Sequence, residues 1–109
     1  MNVYFAARSE AKLESVCETL GAAFELPPFE FDGHDTWQYA WSEGRGLRLN
    51  VTKAKGCHTV ETWMPGCPGG VNYQVILTAE VEPPDFASRL ATALGSEAVR
   101  YATAPATDV

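Results

Sequence analysis

The amino-acid sequence predicts an α+β fold: a two-layer sandwich with a mainly antiparallel sheet in the order β-α-β-β-β-β-α and both helices on one face. From Thr36 to Glu80 the chain alternates apolar and polar residues, as β-strands do. Segments whose apolar residues recur at helical spacing flank this region on both sides. The length of 109 residues suits one hydrophobic core, so residues 1–109 are expected to form a single domain.

The chain begins with a short predicted strand over residues 2–7, which is rich in Val, Tyr and Phe. A helix is expected next, because Ser9 is a good N-cap residue and apolar residues then recur at helical spacing. These apolar residues are Leu13, Val16, Cys17, Leu20 and Phe24. Gly21 is the expected C-terminal stop. Cys17 lies on the apolar stripe, where a cysteine usually behaves as a small buried hydrophobe.

Residues 25–35 are expected to form an exposed acidic linker. Pro27 and Pro28 end any helix and favour extended backbone, and Phe29 and Phe31 could pin the linker to the domain. The stretch contains no Lys or Arg, and its acidic residues are Glu25, Glu30, Asp32 and Asp35. Such a charge keeps an exposed segment soluble, and it would also attract a basic partner.

Two hairpin strands are expected next, joined by a glycine-containing turn over residues 42–46. Alternate positions are aromatic in the first strand and aliphatic in the second. These residues are Trp37, Tyr39 and Trp41, followed by Leu47, Leu49 and Val51. We expect Trp41 opposite Leu47, because a slip of one residue would set the aromatic side chains opposite Arg48 and Asn50. The aromatic row is therefore expected to face the core and both helices.

Two more strands and a helix complete the predicted fold. A strand over Thr59–Met64 is expected to pair with the second hairpin strand, and its Trp63 then lies on the outer face. The last strand is expected over Val71–Val81, with Val75 toward the core. Pro83-Pro84-Asp85 begins a second helix that ends at Gly95. Residues 97–109 give little signal and are interpreted as a flexible tail.

The charge and hydropathy of the chain exclude several classes of function. Fourteen acidic residues against eight basic ones give a net charge of −6. Nucleic-acid binding needs Lys and Arg to neutralise phosphates, so we expect no nucleic-acid partner and favour a basic protein. No apolar run approaches the roughly 20 residues that cross a bilayer, and the first residues show no leader pattern. We therefore expect a cytoplasmic protein without membrane association.

The cysteine and histidine residues suggest two kinds of site. Cys57, His58 and Cys67 with His34 could hold zinc, but no Cys-x-x-Cys pair occurs and neighbouring residues of a strand point to opposite faces. Cys67 could instead be a nucleophile with a histidine base, although its Pro- and Gly-rich surroundings predict a fixed turn. We expect no catalytic residue, metal or cofactor. A small enzyme or ligand-binding domain using Cys57, His58 and Cys67 is the alternative.

The outer face of the predicted sheet is the preferred binding surface. There Arg48 is expected opposite Trp63, and Trp63 opposite Asn72. An exposed Trp beside an Arg is typical of protein-interface anchors, although Arg48 could also simply shield Trp63 from water. With the acidic linker, the candidate partner-binding residues are Glu30, Asp32, Asp35, Arg48, Glu61, Trp63, Asn72 and Gln74.

Three stretches carry a resemblance to a known class of protein. They are Leu26-Pro27-Pro28-Phe29-Glu30-Phe31-Asp32-Gly33, the Trp-rich hairpin, and Cys67-Pro68-Gly69-Gly70-Val71-Asn72-Tyr73. With the short acidic α+β plan, the chain resembles the small immunity proteins that bacteria make against their own polymorphic or contact-delivered toxins. The resemblance implies a non-enzymatic cytoplasmic inhibitor that binds a cognate toxin with a basic surface. An open sheet edge could also pair two copies as a homodimer.

Overall fold

A computed structural model of the protein describes residues 2–33, 37–55 and 70–104. Within these ranges the elements are β1 (Asn2–Ala7), α1 (Leu13–Phe24), β2 (Glu30–Gly33), β3 (Trp37–Gly44), β4 (Leu47–Ala54), β5 (Tyr73–Ala79), α2 (Phe86–Leu94) and β6 (Val99–Ala104). Every described strand pair is antiparallel. The predicted α+β fold with a mainly antiparallel sheet is confirmed.

The strands form one six-stranded sheet in the order β2-β3-β4-β5-β1-β6. Strands β2 to β5 form a meander, so each pairs with its neighbour in sequence. Strand β1 lies between β5 and β6, and therefore α2 connects two strands that have another strand between them. Helix α1 connects β1 to β2. Strand β2 lies at one edge of the described sheet, and three strands separate it from β1.

Both helices pack on one face of this sheet and form a single core with it. The sheet contributes Val3, Phe5, Ala7, Leu47, Leu49, Val51, Tyr73, Val75 and Leu77. The helices contribute Leu13, Val16, Cys17, Leu20, Phe24, Phe86, Leu90 and Leu94. The Phe86 ring centre lies 5.3 Å from that of Phe5 and 5.2 Å from that of Phe24, so it joins β1 to both helices. Each buried Val, Leu or Phe side chain stabilises the fold by about 1.5–3 kcal/mol.

The helix ends differ from the prediction at α1 and agree with it at α2. Ser9 is not the N-cap of α1, which begins after Lys12; its hydroxyl instead donates to the Leu94 carbonyl at the end of α2. The helix also continues past Gly21 to Phe24, and Glu25 ends it in the left-handed conformation with a φ of 54°. Helix α2 follows Asp85 and ends at Gly95, as predicted.

The predicted hairpin register is wrong. Trp41 pairs with Asn50, and Ala40 pairs with Val51, so the aromatic row faces away from the helices. The turn contains only Arg45 and Gly46, with φ angles of 56° and 79°, as in the tight turns that match strand twist. This turn pairs Gly44 with Leu47, whereas the prediction paired Trp41 with Leu47, and the difference of three positions inverts the faces.

Close packing over β3 explains why its core face carries small residues. The Ser42 hydroxyl donates to the Pro27 carbonyl over a distance of 2.8 Å. A Cβ atom added at Gly44 would lie 3.0 Å from the Pro27 Cδ atom. The segment that leads from α1 to β2 therefore passes directly over β3 and leaves no room for indole rings on that face.

Three other segments differ from their predicted places. Strand β4 pairs directly with β5, with Val51 opposite Val75, so β5 takes the position beside β4 that the prediction gave to Thr59–Met64. Residues 56–69 themselves lie outside the described ranges. The acidic linker includes strand β2, and the expected flexible tail includes β6, which pairs with β1. Neither helix in the described part of the chain is long and apolar enough to cross a membrane.

Candidate functional site

The outer face of the sheet, which the helices leave uncovered, carries the aromatic row of β3. Trp37, Tyr39 and Trp41 all lie there and are partly exposed. The ring centres of Trp37 and Tyr39 are 5.1 Å apart, at an interplanar angle of 40°. Tilted rings at this separation attract each other, so the row forms a preorganised apolar surface.

Trp41 belongs to a row of side chains that crosses most of the sheet. The pairing registers align Glu30, Trp41, Asn50, Ile76 and Tyr4 on adjacent strands from β2 to β1. Glu30 is exposed and the other four are partly exposed. This row therefore combines an acidic end with apolar and amide groups on one continuous surface.

Arg48 covers part of Trp41. Its guanidinium carbon lies 4.8 Å from the Trp41 ring centre, and its side chain is 41% exposed. Glu43 lies directly opposite Arg48 on β3, with 3.9 Å between the charged atoms. A cation over an indole ring at an exposed site is worth about 0.5–1 kcal/mol. The contact places the guanidinium group over the indole ring on the outer face of the sheet.

Acidic side chains border this surface along β2. Glu30 and Asp32 are exposed and lie opposite Trp41 and Tyr39, so they share the outer face with the aromatic row. The Tyr39 hydroxyl donates to Asp32 Oδ2 over 3.4 Å. Glu25 is different, because it forms an ion pair with Arg45 at 3.0 Å. Asp35 lies outside the described residues.

The outer face is open at one end and covered at the other. Ala6, Ala54 and Gln74 are 1%, 7% and 9% exposed although their backbone positions face outward. Glu43 and Thr78, near the β3–β4 turn, are exposed. The accessible part of the face is therefore centred on Trp41 and Arg48, and we call this part the open surface.

Two other predicted site residues, Asn72 and Gln74, are not brought to the open surface. The Asn72 amide group holds the Ser9 backbone, accepting from its N–H and donating to its carbonyl, both over 2.8 Å. Gln74 lies at the covered end. Glu61 and Trp63 lie outside the described residues, so the predicted contact between Arg48 and Trp63 stays a prediction. Among the described residues, Arg48 contacts Trp41.

Sequence reasoning missed Trp41, Tyr39 and Tyr4 as members of this surface, whereas Ile76 lies on the outer face as predicted. The sequence contained one signal that could have found the first two. Arg45-Gly46 fits a two-residue hairpin turn. Such a turn pairs Gly44 with Leu47 and so places the aromatic residues of β3 on the face opposite to the predicted one.

The cysteine and histidine sites remain predictions. His34, Cys57, His58 and Cys67 all lie outside the described residues. Among the described residues no group of three or more His, Cys, Asp or Glu side chains could hold a metal ion. Cys17 is buried in the core, and this burial, with a smaller effect of the Glu14 charge, raises the pKa of its thiol to about 12. Its raised pKa opposes the thiolate form that a nucleophile needs.

The chain was compared with protein-family models, with curated proteins and with solved structures, and none of them matches it.

Proposed function

We propose that this protein is a non-enzymatic binding module: an immunity protein that binds a cognate bacterial toxin in the cytoplasm and blocks its active site or substrate path. The observation that carries the proposal is the partly exposed Trp41 under Arg48, on the sheet face opposite the helices, with Glu30 at its border. The identity of the partner as a toxin rests on the resemblance to immunity proteins. The binding role rests on the surface itself.

The aromatic residues supply the means of tight association. Trp and Tyr side chains bury much area at little cost in conformational entropy, and they keep a polar group for hydrogen bonding. Trp, Tyr and Arg are the residues that most often dominate the energy of protein interfaces. Trp41, Tyr39 and Arg48 bring all three types together on adjacent strands. A broad sheet face of this kind suits another folded domain.

The charge of the protein supports a basic partner. The chain has a net charge of −6, and Glu30 and Asp32 are exposed beside the aromatic row. Opposite charges on two partners raise their encounter rate and disfavour wrong partners. A toxin that acts on nucleic acid needs a basic substrate path, and an acidic surface could occupy that path in place of phosphates.

The experiment uses the product of the gene adjacent to this one. We expect that protein to co-purify with this chain, and its toxicity in cells to disappear when both are expressed. Trp41→Ala should weaken binding at least about thirtyfold, the loss expected for an interface residue worth 2 kcal/mol. Arg89→Ala is the matched control, because Arg89 lies 5.1 Å over the Phe24 ring on the opposite layer.

Two results would contradict the proposal. If the neighbouring gene product does not bind and its expression is harmless, the toxin partner is wrong. If it binds and Trp41→Ala and Arg89→Ala have equal affinity, the binding role stands but the open surface is not its site. Circular dichroism of each variant would show that it remains folded.

A further inference from the structure

A groove lies on the helix side of the sheet, between α1 and the segment that leads into β2. It has a volume of about 530 Å³, and its apolar wall includes Gly21, Ala22, Leu26, Phe29 and Phe31. A smaller hollow of about 320 Å³ continues past Phe31 toward Gly33 and Gln38. Phe31 is 50% exposed and lines both hollows, so its ring extends the apolar surface of the groove toward solvent.

The groove runs beside β2, an edge strand of the described sheet. Among the described strands, β2 pairs only with β3, and all four of its residues are exposed. The Gly33 N–H donates to the Asp32 carboxylate over 2.8 Å. In an antiparallel pair, alternate residues direct both backbone groups toward the partner strand and the others direct them outward. We therefore place Gly33 and Phe31 among the residues whose backbone groups point outward.

We propose that this edge and groove bind an extended, basic segment of a partner protein, which adds to the sheet as a strand beside β2. Strand addition of this kind draws affinity from main-chain hydrogen bonds and specificity from pockets for alternate side chains. Phe31 stands between the two hollows, so an apolar side chain of the bound segment would enter the groove next to its ring. This inference goes beyond the open surface and does not depend on it.

The charges around the groove select a basic segment. Glu14 and Glu18 line it from α1 and are exposed. Asp32 lines the smaller hollow, and Glu30 precedes Phe31 on the same edge strand. No Lys or Arg is among the described residues that line either hollow. Basic side chains that alternate with the apolar one would therefore lie on the outer face near Glu30 and Asp32. The apolar side chain would enter the groove on the helix side, beside Phe31.

The same charges disfavour a second copy of this chain at the edge. Two copies could pair along β2 about a twofold axis, with both copies keeping the same outer face. Such pairing would set Glu30 opposite Asp32 of the other copy, or one of these two acids opposite the same acid of the other copy. Like charges directly opposite on paired strands are destabilising. A basic segment from a different protein removes this repulsion.

The test uses a synthetic peptide with blocked ends and the sequence Lys-Leu-Lys-Leu-Lys, followed by NMR titration of the full chain. We expect saturable shifts at the Phe31 and Gly33 amides and slower hydrogen exchange there. A Glu-Leu-Glu-Leu-Glu peptide should bind at least about tenfold more weakly, which corresponds to 1.4 kcal/mol. Equal binding of the two peptides, or shifts confined to the Trp41 surface, would overturn the proposal.

Two neighbouring residues of α1 provide a matched pair of variants. Ala22 lines the groove, whereas Ala23 is also exposed but is not among its described lining residues. Ala22→Trp should weaken peptide binding at least about tenfold, and Ala23→Trp should leave it unchanged. Equal effects would exclude the groove as the site.

Gly33→Pro tests the edge separately from the groove. Proline is tolerated on an edge strand where its missing N–H would face outward. The variant gives up the exposed hydrogen bond from the Gly33 N–H to Asp32, and it should still fold and lose the peptide. Retained binding would show that no strand is added. Sedimentation of the protein without peptide completes the test, because a dimer that Gly33→Pro dissociates would assign the edge to a second copy and overturn the proposal.

Discussion

The guanidinium group of Arg48 lies over the ring of Trp41, 4.8 Å from its centre, on the sheet face opposite the helices. The contact joins neighbouring strands, since Arg48 is in β4 and Trp41 in β3. It is separate from the core, so its loss should alter the surface more than the fold. The two residues together define the centre of the open surface.

Arg48→Ala should uncover the Trp41 indole. We expect acrylamide to quench tryptophan fluorescence more strongly in this variant, and the free energy of unfolding to fall by about 0.5–1 kcal/mol. The extra quenching should vanish when Trp41 is replaced by Phe in the same background, because the other two tryptophans are then unchanged. If quenching is the same with and without Arg48, the guanidinium group does not cover the indole in solution.

Charge reversal at the border of the open surface should slow association with the partner. We expect Glu30→Lys with Asp32→Lys to lower the association rate at low salt, with a difference that shrinks as salt is added. The control is Glu80→Lys with Glu97→Lys, which makes the same change in net charge at two exposed positions away from this border. Stopped-flow kinetics would measure both pairs. Equal rates would mean that only the total charge matters.

Asn72 should act on stability rather than on binding. Its amide group makes two 2.8 Å hydrogen bonds to the Ser9 backbone and so ties the end of β1 to the start of β5. Asn72→Ala leaves both Ser9 groups without this partner, and we expect it to lower the free energy of unfolding by about 1–3 kcal/mol. Urea unfolding measures the loss. A large change in partner affinity with unchanged stability would instead make Asn72 a contact residue.

The fold class could be predicted because its signals are local. Apolar residues at helical spacing and strand alternation mark α1, α2 and the middle strands without any knowledge of their partners. Strands β2 and β6 were missed for the opposite reason. Residues 30–33 and 99–104 show little periodicity, and each becomes a strand through pairing with β3 or β1. Such pairing depends on tertiary structure that a short window of sequence does not contain.

The sequence predicted the kind of residues on the open surface, but not which residues form it. Alternation shows that Trp41 and Ala40 point to opposite faces, but it does not say which face the helices cover. Large apolar residues usually lie inside, and this preference predicts the wrong face of β3 as the buried one. The deciding factor is the path of Pro27 over β3, where its carbonyl accepts from Ser42 and its ring would lie only 3.0 Å from a Cβ atom at Gly44. That contact joins residues distant in sequence.

The buried thiol of Cys17 should make the protein less stable in alkaline solution. Its pKa is raised from 9.0 to about 12, first by burial and then by the charge of Glu14. Burial likewise raises the pKa of the Tyr73 hydroxyl, with smaller effects of Cys17 and Glu14. Both groups therefore keep their protons in the folded state at a pH where the unfolded chain has lost them.

The direction of this pH effect follows from the number of protons that the folded and unfolded states bind. Between pH 9 and about 12 the unfolded thiol binds fewer protons than the folded one, so the free energy of unfolding falls as pH rises. The stabilisation by the neutral thiol is complete below pH 9 and is lost as pH rises toward the folded pKa. We expect the urea midpoint to decrease over this range, and Cys17→Ala to reduce that decrease while the part from Tyr73 remains. Parallel pH profiles for the two proteins would show that Cys17 does not titrate differently in the folded and unfolded states.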